Sequence, residues 1–140
     1  MKIKKMVLII FLVICLLLVC ISLSYRTTDF SGIMVENEIE SSVNIRVKNK
    51  QIYKVLNRMS GNVSVQTNDN NIFEYNFSET VFSSDTSAVR FVSVYRFDKN
   101  KVENGYFYFD KELKNVILIT SERQFYAAND EFYAAVNEMQ

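Results

Sequence analysis

The fold of this chain is decided by residues 89–119, which read VRFVSVYRFDKNKVENGYFYFDKELKNVILI. Three runs rich in β-branched and aromatic residues, 89–97, 106–109 and 116–119, are separated by polar stretches, and Asn104-Gly105 is expected in the first turn. Such runs, bounded by turn-forming residues, are typical of strands joined as hairpins. The uniformly aliphatic run 116–119 predicts a central strand that is covered on both faces.

Period-two alternation extends this β pattern towards the N-terminus and predicts strands at 43–47, 63–66 and 73–77. Between the first two of these, apolar residues recur at helical spacing. Asn49 is a suitable N-cap and Gly61 a suitable C-terminal residue for a helix whose apolar face is formed by Ile52, Val55, Leu56 and Met59. The sequence therefore predicts an α+β domain with an antiparallel sheet of about six strands and two helices.

Two interpretations fit the last twenty residues. Ser121 and Gln124 can form a capping box, which allows one helix over 122–139. Alternatively, 121–124 is a hairpin loop, 125–127 is a last strand, and Asn129 or Asp130 caps a short helix. The second interpretation is favoured because Asn and Asp suit a cap better than a helix interior.

The N-terminus carries a cationic and apolar pattern. Lys2, Lys4 and Lys5 precede 6–21, which contain no charged residue, and with 22–24 the segment would span about 28 Å as a helix. This approaches the roughly 30 Å of a bilayer core and predicts a transmembrane signal anchor at 6–24. The three lysines predict that 1–5 stay in the cytoplasm, so that a tether at 25–32 and an α+β domain at 33–140 lie outside the plasma membrane.

Two other fates of the same segment stay open. The small residues Ser22 and Ser24 precede Tyr25 as they would precede a signal-peptidase cut. Residues 17–20 resemble the lipidation box of a lipoprotein loosely, with Cys20 as the modified residue and Val19 where a small residue is usual. All three fates place the domain outside the cytoplasm.

Composition narrows the possible chemistry. The chain has no His, and both cysteines, Cys15 and Cys20, lie in the apolar segment, so the domain has no disulfide scaffold and lacks the commonest general base. The 16 basic residues balance the 16 acidic ones, which argues against a nucleic-acid partner. Glu36, Glu38 and Glu40 are interpreted as a solvated edge and not as a metal site. We expect no catalytic residue, no cofactor and no enzyme activity.

Aromatic density gives the only indication of function. All 8 Tyr follow the apolar segment, and alternation in 106–109 predicts that Phe107 and Phe109 face the core. Tyr106 and Tyr108 would then share the other face with Tyr75 or Tyr95 and form a binding surface. Tyrosines that simply complete a small core are the competing interpretation.

The order of these segments resembles that of small exported or membrane-anchored proteins of low-GC Gram-positive bacteria. The resemblance rests on the lysine-rich start, the single apolar segment, the helix expected after the first strand, and the closing residues 130–133, Asp-Glu-Phe-Tyr. No activity is assigned to those proteins, so the resemblance implies no functional residue.

The sequence as a whole predicts a membrane-anchored interaction module without catalytic activity, which contacts the bilayer through 6–24 and an envelope protein through its domain. The alternative is a secreted or lipid-anchored inhibitor or immunity-type protein, and a small carboxylate-based hydrolase ranks below both.

Overall fold

The computed structural model describes residues 2–22, 25–51, 58–83 and 88–140. These residues form two helices and nine strands in the following order: α1 (Lys2–Ser22), β1 (Tyr25–Glu36), β2 (Ile39–Gln51), β3 (Arg58–Thr67), β4 (Ile72–Thr80), β5 (Phe82–Ser83), β6 (Arg90–Asp98), β7 (Lys101–Phe109), β8 (Val116–Thr120), β9 (Gln124–Ala127) and α2 (Asp130–Asn137).

Eight of the described strands form a closed antiparallel barrel. Consecutive strands pair from β1 to β4 and again from β6 to β9. The ring is closed by β9 on β1 and by a single pair, Asn76 with Tyr95, between β4 and β6. The short strand β5 pairs with Arg90 and Phe91 on the same edge of β6 that meets β4. One end of the barrel carries the turns at 37–38, 68–71, 99–100 and 121–123, and it is called the hairpin end below.

The barrel interior is filled by side chains because inward and outward positions alternate along each strand. The largest fully buried side chains come from opposite walls and include Tyr75, Phe77, Phe107, Phe109 and Phe125. Phe77 stacks on Phe107 with ring centroids 5.9 Å apart, and Phe107 stacks on Phe109 at 5.3 Å. The predicted inward orientation of Phe107 and Phe109 is therefore confirmed.

A second apolar layer lies outside the barrel, where α2 covers one wall. Phe132 and Val136 of α2 are buried with Tyr108 and Ile117. The Asn129 side chain accepts a hydrogen bond from the Phe132 amide at 2.8 Å, which caps the helix. The predicted strand followed by a capped helix is confirmed at this end of the chain. Strand β8 is buried on both faces, as its aliphatic run predicts.

The α+β fold with about six strands is wrong. The observed sheet closes on itself. Closure depends on contacts between the two ends of the domain, and local sequence patterns do not encode such contacts. Residues 25–32, expected as a tether, are part of β1 and pair with β2 from Tyr25 opposite Lys50 onwards. Their polar composition, Tyr-Arg-Thr-Thr-Asp-Phe-Ser-Gly, lacks the apolar alternation that identifies a strand.

The prediction of a helix from Asn49 to Met59 is also wrong at both ends. Asn49 lies in β2 and Met59 in β3, and these strands pair as far as Gln51 opposite Met59. The middle of that helix, 52–57, lies outside the described residues. The turn expected at Asn104-Gly105 lies instead at 99–100, where Lys99 takes a positive φ of 52°.

The N-terminal segment forms α1, whose apolar side chains are largely exposed between Ile3 and Val19. Within the part of the chain that the structure describes, no helix has both the length and the apolar character needed to cross a bilayer. This finding corrects the prediction of a transmembrane signal anchor at 6–24.

Candidate functional site

The structure separates the four tyrosines that were expected to form one surface. Tyr75 points into the barrel and is fully buried, whereas Tyr95, Tyr106 and Tyr108 point outwards from β6 and β7. Tyr106 and Tyr108 lie side by side with ring centroids 6.4 Å apart. Tyr75 cannot belong to the expected outer surface, because it lies on the inward face of β4 together with Phe73 and Phe77.

Aromatic side chains cover the outer wall of β6 and the strands beside it. We call this the outer aromatic surface, and it consists of Phe82, Phe91, Tyr95, Phe97 and Tyr106. Phe97 is 71% exposed, and Phe82 and Tyr106 are each about half exposed. Phe91 joins two of these rings, since its centroid lies 5.4 Å from that of Phe82 and 6.1 Å from that of Tyr106. Tyr95 contacts Phe97 at 5.5 Å.

The register of β6 on β7 explains why this wall is apolar. The outward positions of β6 are Phe91, Ser93, Tyr95 and Phe97, and those of β7 are Val102, Asn104, Tyr106 and Tyr108. None of these eight residues is charged. The outer wall of β1 and β2, in contrast, carries the exposed ion pair between Arg46 and Asp29 at 2.6 Å. A surface with few charged residues and many Tyr and Phe side chains is typical of the centre of a protein–protein interface.

Tyr108 anchors this surface to the helix layer. It is 7% exposed beneath α2 and contacts Phe91 at 5.6 Å. Burial, and to a smaller extent the neighbouring Tyr106, raises the pKa of the Tyr108 hydroxyl. Tyr108 therefore supports the exposed rings from behind and offers little contact area of its own.

A polar cluster closes the barrel interior near the hairpin end. Glu103 is 3% exposed and accepts hydrogen bonds from Tyr75, Thr120 and Arg96. The Thr120 hydroxyl is the nearest at 2.6 Å, and Arg123 forms an ion pair with the same carboxylate at 3.5 Å. We call these five residues the Glu103 cluster.

The two cations of the Glu103 cluster lie against one aromatic ring. The guanidinium groups of Arg96 and Arg123 lie 5.0 and 4.6 Å from the ring centre of Phe73. Burial and the nearby Glu103 carboxylate raise the pKa of Tyr75 to about 12. Both carboxylate oxygens of Glu103 accept hydrogen bonds within the cluster, so the side chain links strands across the barrel interior.

The remaining sequence-derived candidates do not converge on a site. Glu36 forms an ion pair with Arg123 at 2.9 Å, whereas Glu38 lies in the turn at 37–38 and Glu40 is exposed on β2. Among the residues described, no three acidic, His or Cys side chains are grouped as metal ligands. Lys2, Lys4 and Lys5 lie in the first turns of α1.

Three members of the outer aromatic surface were missed at the sequence level: Phe82, Phe91 and Phe97. The signal for two of them was present, because 91–97 read Phe-Val-Ser-Val-Tyr-Arg-Phe and place Phe, Tyr and Phe on the face opposite to the two valines. No comparable pattern identifies Phe82, which reaches the surface through the pairing of β5 with β6.

The fold and the site define the class of the protein as an antiparallel up-and-down barrel with an uncharged aromatic wall. No family model, curated protein or solved structure matches the chain. The resemblance to exported Gram-positive proteins stays a prediction.

Proposed function

We propose that this protein is a non-catalytic interaction module that binds a protein partner through the outer aromatic surface. The observation that carries the proposal is the set of eight outward positions on β6 and β7 without one charge, five of them aromatic. Tyr and Phe offer large contact area with few rotatable bonds, so little entropy is lost when they are held in an interface.

The arrangement of the rings also favours binding of a protein. Exposed apolar patches of contiguous rings are unusual on monomers and mark interaction sites. The β-ladder fixes the backbone under Phe97 and Tyr106, and ring contacts with Phe91 and Tyr108 hold the neighbouring side chains. A rigid surface of this kind is ordered before binding, which reduces the free-energy cost of association.

Site-specific photo-crosslinking in the producing cell tests the proposal. A photoreactive phenylalanine analogue at Phe97 should crosslink a discrete partner, whereas the same analogue at Glu40, which is exposed on β2, should not. The double substitution Phe97→Ser and Tyr106→Ser, with the analogue at Tyr95, should reduce the crosslinked product about tenfold, a loss of about 1.4 kcal/mol in binding.

A matched control separates binding from a general loss of surface apolarity. Ile39 is 70% exposed at the start of β2, a strand that pairs with neither β6 nor β7, and Ile39→Ser removes a similar apolar group. The control should leave crosslinking at Tyr95 unchanged, and all variants should unfold within about 0.5 kcal/mol of the parent chain. Equal crosslinking in the double variant and the parent would contradict the proposal.

A second candidate function, that of an exported inhibitor or immunity-type protein, is favoured by where the barrel begins. Its first strand starts at Tyr25, immediately after Ser22 and Ser24, so a cut after Ser24 would leave every described barrel strand intact. Mass spectrometry of the chain recovered from outside the producing cells tests this candidate. A mature N-terminus at Tyr25 supports export with cleavage, and recovery of only the uncut chain within the cells contradicts it.

A further inference from the structure

Strand β1 has an unpaired edge along most of its length. It pairs with β2 over all 12 of its residues, but β9 covers its other edge only from Ile33 to Val35. Within the described ranges, no strand pairs with the second edge of Tyr25–Gly32. Backbone N–H and C=O groups therefore point outwards along this edge at strand spacing.

The barrel wall is open beside this edge. The inward-facing residues Thr28 and Phe30 are partly exposed, whereas their partners across β2, Val47 and Ile45, are 0% and 2% exposed. A groove of about 640 Å³ lies at the Gly32 end of the gap, and its lining includes Phe30, Ser31, Gly32, Ala127 and Asn129. The groove thus adjoins the end of the free strand edge, and its mixed lining includes the apolar side chains of Phe30 and Ala127.

The gap results from the way β9 ends. After Ala127 the chain leaves the sheet to begin α2, and the Asn129 backbone amide donates to Asn115 Oδ1 at 2.9 Å. The same Asn129 side chain caps α2. Two hydrogen bonds at one residue therefore turn the chain away from β1, so that β9 does not continue beside Tyr25–Ser31.

We propose that this edge binds an extended segment of another polypeptide, which adds to the barrel as a strand beside Tyr25–Gly32 and continues the line of β9. Only an extended backbone offers donors and acceptors at the spacing of the free edge. Alternate side chains of the bound segment would enter the groove over Phe30. Asp29 does not repel such a segment, since its charge is compensated by Arg46 on the outer wall.

A second copy of this chain fits the edge less well than a foreign segment. If two β1 strands pair antiparallel with Tyr25 of the copy opposite Ser31, helix α1 of the copy, which ends at Ser22, is brought towards Ile33. Tyr126 of β9 already occupies the position opposite Ile33. An incoming strand that is free at its end avoids this collision.

The probe for the test is the peptide Lys-Thr-Val-Thr-Val-Thr-Val-Lys, capped at both ends. It is added to the purified full chain in a mild detergent that covers the exposed apolar side chains of α1. Backbone amide hydrogen exchange is followed residue by residue by NMR. Two control peptides have the same sequence and carry N-methyl groups on alternate residues, one on the odd positions and the other on the even positions. Each control therefore lacks the N–H donors along one edge of the extended peptide.

We expect the probe to increase the exchange protection of every second amide in Tyr25–Gly32 about tenfold. The control peptide whose N-methyl groups face β1 should not produce this increase. Equal effects of all three peptides would overturn it, since backbone pairing would then not be involved. Protection already present in the free chain would also overturn it. If that protection increases with protein concentration, the occupant is a second copy. These results are independent of the outer aromatic surface, which should show no change with the probe.

Discussion

The Tyr75 hydroxyl lies 3.2 Å from each carboxylate oxygen of Glu103, and this contact joins β4 to β7 across the barrel interior. The two residues are 28 positions apart in sequence and sit on walls that share no strand pairing. A tyrosine expected on a binding surface therefore stabilises the interior. The protonation state of Tyr75 therefore influences the folded state directly.

We predict that the chain loses stability in alkali through Tyr75. Its pKa is raised to about 12 in the folded state, against about 10 in an unfolded chain. The folded state holds the proton more tightly, so this contribution is complete below about pH 10 and is lost as pH rises from about 10 to about 12. The loss is on the order of 2–3 kcal/mol. Urea unfolding between pH 9 and 12 measures it.

Two variants isolate this contribution of Tyr75. Tyr75→Phe should flatten the stability profile above about pH 10, because the titrating group has been removed. The exposed Tyr25 provides the control, and Tyr25→Phe should keep the alkaline loss. An unchanged profile in Tyr75→Phe would assign the alkaline loss to other groups.

We predict that Glu103→Ala is strongly destabilising, by about 3–5 kcal/mol. Arg96 and Arg123 would then lose their common counter-ion in a site where they are 17% and 15% exposed. Lys101 and Glu122 form an ion pair on the surface nearby, and Lys101→Ala should cost about 1 kcal/mol or less. Denaturant unfolding of both variants makes the comparison. Similar losses in the two would show that burial of the Glu103 cluster has no energetic effect.

We predict that Asn129→Ala destabilises α2 by about 1 kcal/mol, because the helix loses its side-chain cap. Amide exchange in 130–137 should accelerate more than exchange in β7. Asn129→Asp keeps an acceptor at the cap and should restore most of the protection. Equal acceleration in both variants would indicate that the cap hydrogen bond contributes little.

We predict that Gly105→Ala disturbs the pairing of β7 with β8. A Cβ at position 105 would lie 2.3 Å from the Ile119 carbonyl oxygen, so the backbone of one strand must shift. Overpacking of this kind costs about 1–3 kcal/mol. The neighbouring Asn104 is exposed, and Asn104→Ala should stay within about 0.5 kcal/mol. Thermal unfolding distinguishes the two, and an unperturbed Gly105→Ala chain would contradict the steric argument.

Short-range patterns predicted the strands with regular apolar alternation, since Val43, Ile45 and Val47 face a core whatever the topology. The same patterns failed at β1, where Thr28 and Phe30 face inward among polar neighbours. They also failed at Asn49, which is fully buried in β2 although Asn is a good helix cap. Tertiary pairing overrode local propensity at both places.

The limits of short-range patterns also explain why only part of the candidate site was predicted. Tyr95 and Tyr106 could be placed on an outer face because alternation within one strand is visible in the sequence. Tyr75 could not be assigned to the inner or the outer face of the sheet, because the assignment depends on where β4 lies in the closed barrel. Barrel closure is not visible in the sequence. The interior position of Glu103 was equally hidden, since its partners Arg96, Thr120 and Arg123 come from three different strand ends.

The short contact between β1 and β9 also has a consequence for the order of folding. Met34 and Phe125, which pair across this joint, are about ninety residues apart in sequence, whereas the hairpins on either side connect near neighbours. Loop closure over such a distance carries the largest entropy cost, and only three residue pairs offset it. We therefore expect the hairpins to form first and the β1–β9 joint to form late, so that this joint, like the single pair between β4 and β6, opens early under mild denaturant.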